Sequence, residues 1–170
     1  TSRHANLIET QCHGFDMIEH LVAPVVSVAA QMTDVTYGDL STVALALELT
    51  DGAVATMLGS YDSSYAYPDS QLVEVNGTAG RLTIHDTVRR LEISRAGDAE
   101  RRVWEAGYFD DEARGFHGTF DRHVDALLAA LRAGEPPPVH ARAGRRALQI
   151  AHAAIESYES GRRVDVAPPG

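Results

Sequence analysis

The 170-residue chain contains no lysine; all 15 of its basic residues are arginine. That excludes any chemistry in which this chain supplies a lysine, whether a Schiff base, a phosphate-loop contact or a lysine general acid. There is one cysteine, Cys12, so a disulfide framework within the chain is excluded and a reducing, cytoplasmic setting is expected. Positive charge is scarce as well. The formal net charge is −9 and the arginines are scattered, with doublets such as Arg89-Arg90 and Arg145-Arg146. A duplex-binding surface needs clustered positive charge, so nucleic-acid binding is not expected. The apolar runs fall far short of the ~20 residues of a spanning helix, so no membrane partner is expected. There is no initiator Met and no signal-peptide pattern, and the start at Thr1-Ser2-Arg3-His4 is what a piece of a longer chain would show. No Gly-x-Gly-x-x-Gly occurs, so no nucleotide site is legible.

What is present is the composition of one globular domain, 44% hydrophobic and 23% charged. At this length a chain buries roughly two thirds of its unfolded surface, enough for stability without metals or disulfides. Residues 6–22 predict a helix, with Ile8, Cys12, Phe15, Ile18 and Val22 on its apolar face and Ala23-Pro24 ending it. The period then changes to two. Strands are predicted over 25–32, 42–49 and 53–61, the last two joined by a two-residue turn at Asp51-Gly52. A loop at 62–70 precedes strands over 72–75, 81–85, 89–94 and 101–104. Short connections imply one largely antiparallel sheet. The tail returns to helical spacing. Phe116, Phe120, Val124, Leu127, Leu128 and Leu131 form a stripe that Gly134 and three prolines stop. Leu148, Ala151, Ala154, Ile155 and Tyr158 form another, ended by Gly161. The fold class expected is α+β: a largely antiparallel open β-sheet with helices packed on one face, and 165–170 as a loose end.

The first helix carries a second stripe. Glu9, His13, Asp16 and His20 are spaced i, i+4, i+7, i+11 and fall in a narrow arc opposite the apolar face. A solvated polar face is one reading. The other is a proton-transfer site, because an imidazole beside carboxylates is suited to acid/base work near neutral pH. A metal site using Glu9, His13 and His20, as in a metal-dependent hydrolase, is a third, though one helix cannot enclose an ion. Cys12 and His13 point about 100° apart and are not a nucleophile–base pair; Cys12 belongs with the apolar face. Gly77-Thr78-Ala79-Gly80 reads as a tight turn between strands and not as a phosphate loop. Tyr61, Tyr65 and Tyr67, among Asp62, Ser63 and Ser64, suit contacts to a sugar or polyol and equally suit an ordinary surface loop. His117 and His123 read as packing or surface residues. His85, Trp104 and His140 are not placed by any pattern.

These pieces occur in a family's order. The segment from Glu9 to Leu21, with an acidic residue, three others, His, two others and Asp before an apolar stretch, resembles the helix opening the second half of the Gfo/Idh/MocA oxidoreductases. Asp51-Gly52-Ala53 with Gly59-Ser60 resembles that family's hairpin. Val75 to Leu82 is similar to its Gly-Thr-x-Gly-x-Leu turn, and residues 120–134, 138–139, 144–157 and 161–164 resemble its closing helices and last strand. The resemblance covers most of the chain, with 95–113 the least informative. It implies that residues 1–170 are a single substrate-binding and dimerisation domain. The N-terminal Rossmann domain, which binds NAD or NADP, and the family's Glu-Lys-Pro lysine are absent from this chain. It implies a dehydrogenase acting on a sugar, polyol or related hydroxy compound, a homodimer or tetramer formed through the sheet face, and an isolated chain that does not turn over. His13 matches the catalytic histidine. Glu9 stands where Asp is frequent, Asp16 matches an acid that orients the histidine or touches substrate, and His20 joins Tyr61, Tyr65 and Tyr67 as a substrate-contact candidate. A non-catalytic ligand-binding or dimerising module of the same fold is the alternative.

Overall fold

A computed structural model describes residues 3–35, 39–64, 70–87, 89–110 and 115–169. The chain divides into two compact units, residues 1–63 with 139–170 and residues 64–138.

The first unit opens with a π-helical turn, Asn6–Gln11, that runs directly into helix α1, Cys12–Leu21. The wider ring changes which side chains reach the core. At about 100° per residue throughout, Ile8 would share a face with Phe15. With roughly 80° per residue across the π-turn, Leu7 lies over Phe15 instead and Ile8 rotates away. Leu7 and Phe15 are indeed both fully buried, while Ile8 is half-buried. The chain leaves α1 at Val22, just before the Ala23-Pro24 pair that cannot continue a helix.

Strands β1 (Val25–Thr33), β2 (Thr42–Leu49) and β3 (Val54–Ser60) follow. They pair antiparallel in the order β3-β2-β1, and the short final strand Val164–Asp165 adds to the free edge of β1. The β2–β3 reversal uses three residues where the sequence predicts two. Leu49 N–H donates to the Ala53 carbonyl at 2.8 Å, and Asp51 and Gly52 both take left-handed φ, 66° and 77°. Asp and Gly tolerate that region, which is why the dipeptide marks the turn.

Val43, Leu45, Leu47 and Leu49 alternate into the core, as the sequence predicts, beside Val28, Ala30 and Met32. The last helix, Ala141–Ser160, covers the same face with Ala147, Ile150, Ala151 and Ala154. Its N-cap is His140, whose Nδ1 accepts from Arg142 N–H at 3.1 Å, so a residue the pattern left unplaced starts the helix. Leu148, assigned to the buried stripe by spacing, is 39% exposed. The helix is rotated so that its small residues meet the sheet. Helices therefore cover one face of this sheet. Ala29, Gln31, Ala44 and Ala46 line the other, where Val54 is 82% and Leu58 77% exposed.

The chain end departs from expectation. Residues 165–167 are not a loose end: Asp165 pairs with Ser27, Val166 is buried and donates its N–H to the Val26 carbonyl at 2.9 Å, and the Ala167 carbonyl accepts from Arg146. Strand pairing to β1 holds the segment, a long-range contact invisible to local pattern.

The second unit holds β4 (Leu72–Gly77), β5 (Gly80–His85), β6 (Arg90–Arg95) and β7 (Arg101–Glu105) as a consecutive antiparallel meander. Among the described residues every pairing is antiparallel, but the strands are shared between two sheets, not joined in one. The division falls in the loop after Ser60. Helix α2, Gly118–Ala133, ends at Gly134 with φ 69°, which makes the Ala141–Ser160 helix α3. Gly77 and Gly80 pair across a tight turn, as their spacing predicts. Gly80 has φ 153°, and a Cβ there would lie 2.1 Å from the Ser94 carbonyl oxygen. Gly80→Ala should destabilise this unit by about 1–3 kcal/mol, read as a lower midpoint in urea denaturation; an unchanged midpoint would refute the close approach.

Candidate functional site

The polar stripe of α1 faces away from the core. Glu9, His13, Asp16 and His20 are all exposed, while Leu7 and Phe15 anchor the opposite side. The π-turn aligns the first two members. Four residues of regular helix would set Glu9 about 40° from His13 around the axis, and the slower rotation through residue 11 reduces that to within about 10°. Glu9 and His13 therefore lie in line, one turn apart, on a helix face open to a ligand.

The start of α1 is tied to the β2 and β3 ends by polar contacts. Buried Asn6 donates from Nδ2 to the Ser41 carbonyl at 2.6 Å and the Gly59 carbonyl at 3.4 Å, and its Oδ1 accepts from Gln11 Nε2 at 3.0 Å. The Thr10 and Tyr61 hydroxyls hydrogen-bond at 2.6 Å, one residue from Glu9. Tyr61 N–H donates to the Ser41 carbonyl, and the Asp62 carboxylate accepts from the Ser41 and Thr42 hydroxyls at 3.0 and 2.7 Å. Tyr61 thus stands beside the Glu9 end of the stripe. Tyr65 and Tyr67 lie outside the described residues. His20 lies ten residues beyond Thr10, about 15 Å along a helix, so it does not join Tyr61.

The other end of α1 is held by a pair that the sequence reading missed. Arg146 of α3 donates from Nε to both Glu19 carboxylate oxygens at 2.9 and 3.1 Å, from Nη2 to the Val25 carbonyl at 2.5 Å, and from Nη1 to the Ala167 carbonyl. Glu19 Oε1 also accepts from Val25 N–H at 2.8 Å. A signal existed: Arg146 precedes Ile150 by one helical turn, on the core-facing side.

Cys12 is half-buried and packs against the core cluster. Burial pushes its thiol pKa up, the reverse of what a thiolate nucleophile needs. Among the described residues no three His, Cys, Asp or Glu side chains could hold a metal ion, so the metal-hydrolase alternative gains no geometric support. The glycines at 77 and 80 are spent on a hairpin and form no phosphate loop. The chemistry within reach is proton transfer at an exposed imidazole, with carboxylates one turn away on the same helix face.

Residues 6–166 match the family model described as the oxidoreductase family, C-terminal alpha/beta domain. Over 164 residues the chain is 26% identical to a myo-inositol 2-dehydrogenase of Thermotoga maritima, covering 92% of this chain and 48% of that protein. Among solved structures, levoglucosan dehydrogenase in complex with NADH superposes with a TM-score of 0.81 at 18% identity, over 98% of this chain and 54% of that one. The WlbA dehydrogenase from Bordetella pertussis, in complex with NADH and UDP-GlcNAcA, gives 0.73 at 20% identity, over 96% and 48%. The chain spans about half the length of the relatives it matches. With the model matched along nearly its whole length and the same α+β fold in both solved relatives, the chain belongs to the Gfo/Idh/MocA oxidoreductase family, as its C-terminal alpha/beta domain.

Proposed function

We propose that residues 1–170 are the substrate-binding and dimerisation half of an NAD(P)-dependent dehydrogenase acting on a sugar, polyol or related hydroxy compound, located in the cytoplasm. The observation that carries the reading is the aligned, exposed Glu9–His13 pair on a helix whose opposite face is locked into the core. Relatives that act on inositol or levoglucosan, or bind UDP-GlcNAcA, support a sugar-like substrate. NAD or NADP, held mainly by a Rossmann domain outside this chain, supplies the hydride acceptor. His13 accepts the proton of the substrate hydroxyl as the C–H bond of the same carbon breaks, leaving a carbonyl. Glu9 and Asp16 lie one turn to either side of His13 on the same exposed helix face, placed to orient the imidazole or touch substrate. The Tyr61 hydroxyl offers a contact to a further substrate hydroxyl, and Tyr65, Tyr67 and His20 are each proposed separately as substrate contacts. The isolated chain, with neither lysine nor cofactor cradle, does not turn over. A panel of polyols and sugars assayed for NAD(P) reduction by the full-length enzyme tests this; reduction with none of them, together with no cofactor binding, would favour a non-catalytic ligand-binding module.

The helix-free sheet face, with Val54 and Leu58 exposed beside a row of alanines, is proposed to pair with a second copy. A two-fold partner sheet buries such a face on both copies at once. The chain is expected to sediment as a dimer or tetramer and Leu58→Glu as a monomer. A monomeric wild type would refute the interface.

A further inference from the structure

We infer that Asn6 and Gln11 are positioning residues: their side-chain bond holds the π-turn, and the π-turn sets Glu9 in line with His13 along the helix face. The inference rests on the proposed role of His13 as proton acceptor. π-Helical turns are rare and occur mostly as single turns, frequently at functional sites, so one needs local support. Here the support is visible. Asn6 and Gln11 are five residues apart, the spacing that closes a π ring, and their side chains meet at 3.0 Å. Asn6 is buried and uses the rest of its amide on the Ser41 and Gly59 carbonyls, which fixes the turn to the ends of β2 and β3. Gly59 leaves the space in which the Gln11 amide sits; a Cβ there would lie 2.1 Å from Gln11 Nε2. The Thr10–Tyr61 bond adds a tie on the substrate side. Relaxing the turn to regular helix would swing Glu9 about 40° off the imidazole and take Leu7 out of the core.

The bond can be broken from either side without touching the stripe. In the full-length enzyme, Gln11→Ala should lower kcat about tenfold or more, with the KM for NAD(P) within about twofold and a shifted limb in the pH–rate profile. Gly59→Ala should do the same by displacing the Gln11 amide. Gln11→Ala/Gly59→Ala should be no slower than Gln11→Ala, because the Gln11 amide that the added methyl would meet is then gone. Backbone chemical shifts of residues 6–11, measured on the 170-residue chain, report the turn independently of catalysis. They should move toward regular α-helix in both single variants. Unmoved shifts would overturn the clamp, as would moved shifts with unchanged kcat and pH profile. If His13→Ala leaves turnover intact, the acid/base reading fails, and the chemical shifts still decide whether Asn6 and Gln11 hold the turn.

Discussion

Replacing His13 by alanine in the full-length enzyme is expected to lower kcat by a factor of about 10² to 10⁴, the usual contribution of a positioned acid/base group. That corresponds to about 3–5.5 kcal/mol of transition-state stabilisation. The KM for NAD(P) should hardly move, because the proposed role of His13 is at the substrate hydroxyl and not at the cofactor. The loss should shrink at high pH, where hydroxide replaces the imidazole as proton acceptor. Misfolding is not a competing explanation: His13 is exposed and faces away from Leu7 and Phe15, which anchor this segment. Glu9→Gln should cost less than His13→Ala, since Glu9 adjusts the imidazole and does not accept the proton itself. Turnover within twofold of wild type for His13→Ala would remove this residue from the mechanism, and the polar stripe would then be a solvated helix face.

The largest stability effect is expected at the opposite end of α1. Arg146→Ala should destabilise the first unit by about 3–5 kcal/mol, because removing one partner of a buried pair strands the other. The Arg146 side chain is 9% exposed and that of Glu19 16%. Without the guanidinium, the Glu19 carboxylate keeps the Val25 N–H as its partner, and the Val25 and Ala167 carbonyls lose a donor. For a domain of this size the midpoint of thermal unfolding should fall by roughly 6–20 °C. Arg146→Lys should recover little, since one ammonium cannot bond two carboxylate oxygens and two diverging carbonyls from a planar fork. A loss below about 1 kcal/mol in urea denaturation would show the clasp to be an ordinary surface pair.

Much of this molecule is written in local pattern. Alternation in 42–49 names the buried face of β2, and Asp51-Gly52 and Gly80 mark reversals because few residues accept their backbone angles. Gly134 and Gly161 end α2 and α3 in the left-handed region for the same reason. The i, i+4, i+7 stripe from Glu9 to His20 needs only the helical period, so its exposed face was legible in the sequence, and the order of motifs located the family. What escaped was non-local. The choice of Leu7 over Ile8 follows from one wider turn, stabilised by carbonyls at Ser41 and Gly59, more than thirty residues away. That Arg146 is buried, that Val166 pairs onto β1, and that Tyr61 meets Thr10 each depend on chain segments separated by tens of residues. Period and turn chemistry are properties of neighbours along the chain, and they set faces and reversals. Which strands share a sheet, and how far a helix is rotated over it, is decided only when distant side chains compete for the same core and the same backbone partners.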